Sequence, residues 1–149
     1  MKFSTKGRYG LRAMVDLAVH AKGEHVALFS IAERQGISTN YLEQVFSLLR
    51  KSGLVKSVKG AQGGYILAES PQDIKVGRIL RALEGPLSVI DENAESSEGN
   101  ETSIQQCIKV SVWDKMNDAL NELADSLTLE DLVDSYWKMT GAEDAMYYI

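Results

Sequence analysis

Ser38, Thr39, Asn40 and Tyr41 stand in a row, with Glu43 and Gln44 just behind them. All six carry short hydrogen-bonding groups of the kind that read base edges: a Gln amide bridges adenine N6 and N7, and a Glu carboxylate accepts from cytosine N4. Arg50, Lys51, Lys56 and Lys59 come next along the chain, and Lys6 and Arg8 lie near the N-terminus. These cations place charge for phosphates, which fix register without carrying sequence information. Lys59-Gly60-Ala61-Gln62-Gly63-Gly64 makes a narrow tip with few side chains, a shape that approaches a minor groove. The plainer reading of the same residues is a solvated strand from Lys51 to Lys59 and a Glu43 that supports a helix cap.

Other chemistry is thin. Cys107 is the one cysteine, so no intrachain disulfide framework exists. It reads first as a small packed side chain near a helix start, and second as a redox-active thiol whose ionisation the neighbouring acids oppose. His20 and His25 lack partners at metal-ligand spacing. Ser4-Thr5 reads as a helix cap or phosphate contact. No nucleophile–base pair, carboxylate dyad or phosphate loop stands out, so the sequence predicts no enzyme, no metal and no cofactor.

The elements that position these residues are set by periodicity. Leu11, Met14, Val15, Leu17, Ala18 and Ala21 place one apolar stripe on a helix over 8–22, ended by Lys22-Gly23. A short helix over 29–35, with Ser30 as a candidate cap, stops at Gly36. Ser38, or Asn40 with Glu43, caps a third helix that runs from about 39 to 51 and ends at Gly53. Two β-like runs, 54–59 and 64–67, flank the glycine tip as a hairpin with Tyr65 packed beneath it. Three helices and a hairpin, in that order, predict a winged helix-turn-helix domain. A further helix over 76–84 stops at Gly85-Pro86.

Residues 91–103 hold five acids, several serines and no aromatic, and are expected to form a mobile acidic loop. Beyond it Ile104, Cys107, Ile108, Val110, Trp113, Met116, Leu120, Leu123 and Leu127 recur at close to 3.5 residues. That pattern predicts a helix of about 24 residues, about 36 Å long, too long for its small domain to cover. A second copy would bury its stripe across Ile108, Trp113, Met116, Leu120, Leu123 and Leu127, giving a two-fold homodimer. Thr128 caps a last helix with acids in its first turn. The predicted fold is mainly α with a small β wing: a winged helix-turn-helix domain at 1–85, the acidic loop at 86–103, and a dimerisation helix, last helix and tail at 104–149.

Charge divides along the same lines. The chain's net charge is −5, but residues 1–60 hold ten Lys/Arg against four Asp/Glu, while 61–149 hold six against seventeen. A cationic head of +6 joined to an anionic body of −11 is the asymmetry of a polyanion-binding module with something attached. No apolar run is long enough to span a bilayer, and nothing resembles a signal-peptide core, so the chain reads as cytoplasmic and without a membrane partner.

Lys6-Gly7-Arg8-Tyr9-Gly10, Ile31-Ala32-Glu33-Arg34-Gln35-Gly36-Ile37-Ser38, Tyr41-Leu42-Glu43-Gln44-Val45-Phe46, Leu49-Arg50-Lys51-Ser52-Gly53-Leu54-Val55 and Gly60-Ala61-Gln62-Gly63-Gly64-Tyr65 form an ordered set. It continues through Val76-Gly77, Leu83-Glu84-Gly85-Pro86, Trp113 and Leu127-Thr128-Leu129-Glu130-Asp131-Leu132. The set resembles the Rrf2 family of bacterial transcription regulators over almost the whole chain. The resemblance implies a winged-helix homodimer on a partly palindromic double-stranded operator. Carried across, Glu43 is a base-specificity residue and Lys59 the wing residue; the family's iron–sulfur branch has arginine there, whose planar fork lysine lacks. That branch also holds a cluster on three cysteines and a separate fourth ligand. Here Glu95 and Glu101 stand near two of those cysteine positions and Val110 replaces a histidine, leaving Cys107 alone.

The ending Met146-Tyr147-Tyr148-Ile149, with Gly60-Ala61 and Gly85-Pro86, resembles the family's cysteine-metabolism repressors. This implies a repressor of cysteine and sulfur-metabolism genes that works with cysteine synthase. Tyr147, Tyr148 and Ile149, with the terminal carboxylate, suit docking into an amino-acid site of that enzyme. The competing reading is a tail packed on its own dimer. Two further alternatives are an iron–sulfur or redox sensor using Cys107 from two subunits, and an interaction module that titrates cysteine synthase, with DNA binding secondary.

Overall fold

The structure is a computed structural model and describes residues 2–61, 63–91 and 103–141. Helix α1 spans Thr5–His20, one turn earlier than apolar periodicity alone places it, because the Ser4 hydroxyl accepts from the Gly7 amide and caps it there. Helix α2 spans Leu28–Gln35; its N-cap is Ala27 with no side-chain bond, so the predicted Ser30 cap does not form. Instead the Ser30 and Ile31 amides turn back onto the Ala27 carbonyl. Gly36, at φ +66°, closes α2 in the left-handed conformation. Helix α3 spans Thr39–Lys51, capped by Ser38, whose hydroxyl accepts from Tyr41 N–H at 3.1 Å. Of the two predicted caps, Ser38 is the one that forms.

Strands β1 (Val55–Val58) and β2 (Gly64–Leu67) pair antiparallel, Val55 opposite Leu67 and Val58 opposite Gly64. Val26, just before α2, adds a bridge to Tyr65 with reciprocal bonds of 2.8 and 2.9 Å. Tyr65 packs on Phe46 of α3 at a 4.7 Å ring separation, fastening the wing to the third helix. The glycine run is shaped by its neighbours: a Cβ on Gly64 would stand 2.3 Å from the Val26 carbonyl oxygen, and one on Gly63 2.5 Å from that of Val58.

Helix α4 spans Val76–Glu84 and ends at Gly85. It lies so close to α1 that a Cβ on Gly7 would meet the Glu84 carboxylate, and one on Gly10 the Leu83 side chain at 2.1 Å. The Glu84 carboxylate accepts from the amides of Ser4 (2.9 Å) and Gly7 (3.0 Å) and from the Ser4 hydroxyl. A negative group thus sits at the positive end of α1. Met14, Leu17, Ile31, Leu42, Phe46, Leu49, Leu54 and Ile79 close the main core at zero exposure.

The predicted long helix is present but not uniform. Ile104–Ile108 is α-helical (α5), Lys109–Trp113 is a π turn, and Asp114–Ser126 continues as α-helix (α6) with α-region torsions at both junctions. Helix α7 spans Leu129–Thr140; Thr128 caps it as its sequence predicts, and Asp131 completes a capping box. The main chain of 74–76 pairs with that of 127–129 through Val76 N–H to Leu127 O and Leu129 N–H to Ile74 O, both 2.8 Å. Leu129 thereby enters the main core. No described helix is long and apolar enough to cross a membrane.

Candidate nucleic-acid interface

Asn40, Glu43, Gln44 and Ser47 recur at helical spacing along α3, opposite its buried face of Leu42, Val45, Phe46 and Leu49. Asn40, Glu43 and Gln44 are exposed, and together with Ser47, Leu48 and Lys6 from α1 they line one open groove. The fold therefore brings Lys6 beside the exposed face of α3 although it lies far away in sequence. Ser38 is exposed at the cap, and Thr39 is half-buried beside it. Tyr41 is half-buried too; its ring packs edge-on to Tyr9 at 6.1 Å and braces α3 against α1. The Arg12 guanidinium stands over the Tyr9 ring, 5.0 Å from its centroid.

Arg50 and Lys51 close α3, Lys56 stands on β1, and Lys59 and Gly60 lead the wing tip, all exposed. Among the described residues none of Lys6, Arg50, Lys51, Lys56 and Lys59 is paired with a carboxylate, so their charge faces outward uncompensated. Gly60 adopts φ +127°, a conformation that side-chain-bearing residues rarely take. Arg8 departs from this group. It bonds the Thr5 hydroxyl at 3.3 Å and lines a separate apolar depression with Lys2, Phe3, Gly7, Leu11 and Leu80.

One support behind the candidate face and one residue on it were missed in the sequence. Asp16, 4% exposed, receives Arg34 in a fork (2.6 and 3.0 Å) and Gln35 at 2.9 Å, tying α1 to the end of α2. Hydrogen bonding to Asp16 raises the Arg34 pKa further above its already high value. Ser47 extends the exposed polar face of α3 by one turn, and its signal was available: it lies three residues after Gln44.

The stripe expected to meet a second copy divides. Ile108, Met116, Leu123 and Leu127 are exposed, Leu123 to 60%. Trp113 is half-buried, and Leu120 packs with Val76, Leu80, Leu87 and Ala124 inside the chain. The head holds α6 through a polar seam one turn apart at each step. Asn117 accepts from Val89 N–H (2.7 Å), Asn121 donates to Leu87 O (3.0 Å), and Asp125 takes both Arg81 nitrogens (2.8 and 2.9 Å). These bonds from Arg81 hold the Asp125 carboxyl below the usual carboxylate range.

Cys107 is exposed, so packing within this chain does not account for it. Among the described residues no three His, Cys, Asp or Glu side chains form a metal-holding group. One thiol per chain does not supply the thiolate set that an iron–sulfur cluster takes, so the residues present do not fit such a group. Glu95, Glu101, Tyr147, Tyr148 and Ile149 lie outside the described residues.

Residues 3–135 match the Rrf2 family model, described as an iron-dependent transcriptional regulator. The chain is 46% identical to the HTH-type transcriptional regulator CymR of Bacillus subtilis (strain 168), across the whole of both chains. Among solved structures it resembles that of CymR (YrzC), the global cysteine regulator of B. subtilis, with TM-score 0.76 and 42% identity over 91% of this chain and 98% of that one. It also resembles T. potens IscR, with TM-score 0.71 and 49% identity over 91% and 88%. A winged-helix head with an outward cationic face, a family model matching most of the length and close identity to named regulators agree: the chain belongs to the Rrf2 family of transcription regulators.

Proposed function

We propose that the protein is a sequence-specific double-stranded DNA-binding repressor of cysteine and sulfur-metabolism genes, acting in the cytoplasm as a homodimer on a palindromic operator. The carrying observation is the groove that Asn40, Glu43, Gln44, Ser47 and Lys6 share, flanked by cations on α3 and the wing that have no carboxylate partner among the described residues. The N-terminal half of α3 enters the major groove, where Glu43 and Gln44 read base edges. Lys59 and Gly60 carry the wing tip toward the adjacent minor groove, and Lys6, Arg8, Arg50, Lys51 and Lys56 contact phosphates. Residues 1–85 read DNA, 86–103 form the acidic loop, and 104–149 pair the subunits.

The sulfur-metabolism assignment rests on similarity to CymR over the full length of both chains. Cysteine synthase, docking Tyr147, Tyr148 and Ile149, is the proposed co-repressing partner. Signal input then acts on the pairing helix or tail rather than through bound metal.

Fluorescence anisotropy on fragments upstream of sulfur-metabolism genes, at two salt concentrations, tests this reading. Specific binding that weakens with salt is expected. Glu43→Ala relaxes base preference by about 1–3 kcal/mol at one position, whereas Lys59→Ala weakens all sequences alike and lowers the salt slope by about one. Binding that ignores sequence at every salt concentration refutes the operator. Capture of cysteine synthase that survives deletion of Tyr147–Ile149 refutes the tail. Protein that captures cysteine synthase but binds no operator is an interaction module instead.

A further inference from the structure

Arg12, Val15, Val19 and His20 recur at helical spacing along one face of α1. That face, Gln35 at the end of α2 and Tyr136 on α7 line a cavity of about 240 Å³. Helix α7 follows the rod formed by α5, the π turn and α6, so the cavity lies between the winged-helix head and the C-terminal body. It shares no lining residue with the groove on α3.

Its floor is fixed before any ligand arrives. The Asp16 carboxylate, 1% exposed, is saturated by Arg34 and Gln35. Gln35 is gripped from two sides: its amide nitrogen donates to Asp16 at 2.9 Å, while its side-chain and main-chain oxygens accept from Arg12 at 3.3 and 2.5 Å. Arg34 matches the charge of Asp16, whereas Arg12 has no carboxylate partner among the described residues and bonds only the neutral oxygens of Gln35. The cavity thus presents one cation without a counter-ion beside an apolar wall of Val15 and Val19. Its volume falls below the about 300–1,000 Å³ of pockets for drug-sized molecules, which limits the occupant to a few carbons.

We propose that this cavity binds a small aliphatic monocarboxylate, its anion on Arg12 and its hydrocarbon body against Val15 and Val19, and that binding weakens the hold on DNA. A guanidinium takes a carboxylate through two parallel bonds, each about twice as strong as a bond to a neutral oxygen. Arg12 bonded to the ligand therefore releases Gln35. The next residue is Gly36, the left-handed turn that leads into α3. The ligand thus acts on the placement of α3 from behind, without entering its groove. This adds an input on the head to those proposed above. The effect on DNA rests on the regulator reading; the binding site does not.

The test begins without DNA. Amide NMR spectra of the full-length protein are titrated with isovalerate, and with isovaleramide as its uncharged isostere. Isovalerate is expected to saturate with a Kd of about 1–10 mM, the range its size allows, and to shift the amides of Val15, Val19 and Gly36. No saturable shift there overturns the site. Isovaleramide is expected to bind at least tenfold more weakly, and equal binding of the two overturns the carboxylate assignment. Arg12→Met is expected to abolish the response, but it also frees Gln35. Tyr136→Glu leaves the Gln35 contacts in place and sets an anion in the cavity wall. It is expected to weaken isovalerate at least tenfold, and unchanged affinity overturns the site. Fluorescence anisotropy on DNA follows, at fixed ionic strength with isovalerate replacing chloride. Saturating isovalerate is expected to weaken wild-type DNA binding at least fivefold and isovaleramide to leave it unchanged. DNA affinity unmoved by bound isovalerate overturns the coupling. Protein that binds isovalerate but no DNA refutes the regulator reading, and the coupling with it, while the site stands.

Discussion

Glu84 joins the end of α4 to the start of α1, and its removal gives the clearest measure of what holds the winged-helix head together. In Glu84→Ala the Ser4 and Gly7 amides, at 2.9 and 3.0 Å, and the Ser4 hydroxyl lose their shared acceptor. The loss is partly offset: Ser4 is exposed, so water reaches its groups, and the Ser4 hydroxyl still accepts from Gly7 N–H at 3.4 Å. A capping interaction is worth about 0.5–2 kcal/mol, and a favourable charge at a helix N-terminus adds about 0.3–1 kcal/mol. With the offset, about 2 kcal/mol is expected for the alanine variant. For a chain of this length that lowers Tm by about 4–8 °C. Glu84→Gln keeps an acceptor oxygen and loses the charge, so about half the effect is expected. Circular dichroism melts at fixed protein concentration measure both, because the proposed dimerisation would make Tm depend on concentration. A Glu84→Ala melt within about 1 °C of wild type would refute the reasoning. So would a Gln variant as unstable as the alanine, which would assign the whole effect to charge.

Three further outcomes rest on contacts of the same kind. Asp16→Ala strands Arg34 and Gln35; because the Arg34 side chain is 35% exposed, the expected loss is about 2–3 kcal/mol rather than the larger cost of a fully buried pair, read from urea unfolding. Gly64→Ala forces a Cβ against the Val26 carbonyl oxygen and should cost about 1–3 kcal/mol while loosening the wing; an unchanged melt would refute the close approach. The depressed Asp125 pKa contributes stability that is present above the ordinary carboxylate pKa and is lost as pH falls through the lower folded value. The pair is substantially exposed, so this amounts to well under about 1 kcal/mol. Arg81→Met should therefore show a slightly shallower acid loss of Tm than wild type, and parallel curves would show that the pair contributes nothing.

What the sequence revealed was local. Ser38 and Thr128 announce their helices through caps within three residues, and the glycines around 60–64 announce the turn between two strands. What it concealed was either distant or a matter of phase. Glu84 and Ser4 are eighty residues apart, and nothing near either of them signals the bond. Asp16 looks like an ordinary polar position on an amphipathic helix until α2 brings Arg34 to it. At the interface itself, Asn40, Glu43 and Gln44 were legible because they come directly after one cap, whereas the placement of Lys6 beside them and of Arg8 elsewhere depends on how α1 crosses α3. In the rod, a 3.5-residue repeat treats Leu120 as equivalent to Leu123. The fold separates them, since α4 claims Leu120 and leaves Leu123 outside.

The seam of Asn117, Asn121 and Asp125 has a geometric consequence. It leaves the rod no hinge against its own head, so two joined copies would hold their α3 helices at a set separation, like the jaws of a caliper. Such a pair reads half-sites on one face of the duplex, one helical turn of about 34–36 Å or a multiple of it apart. A spacer lengthened by half a turn would swing the second half-site to the far side of the duplex, where a molecule without a flexible joint cannot reach it.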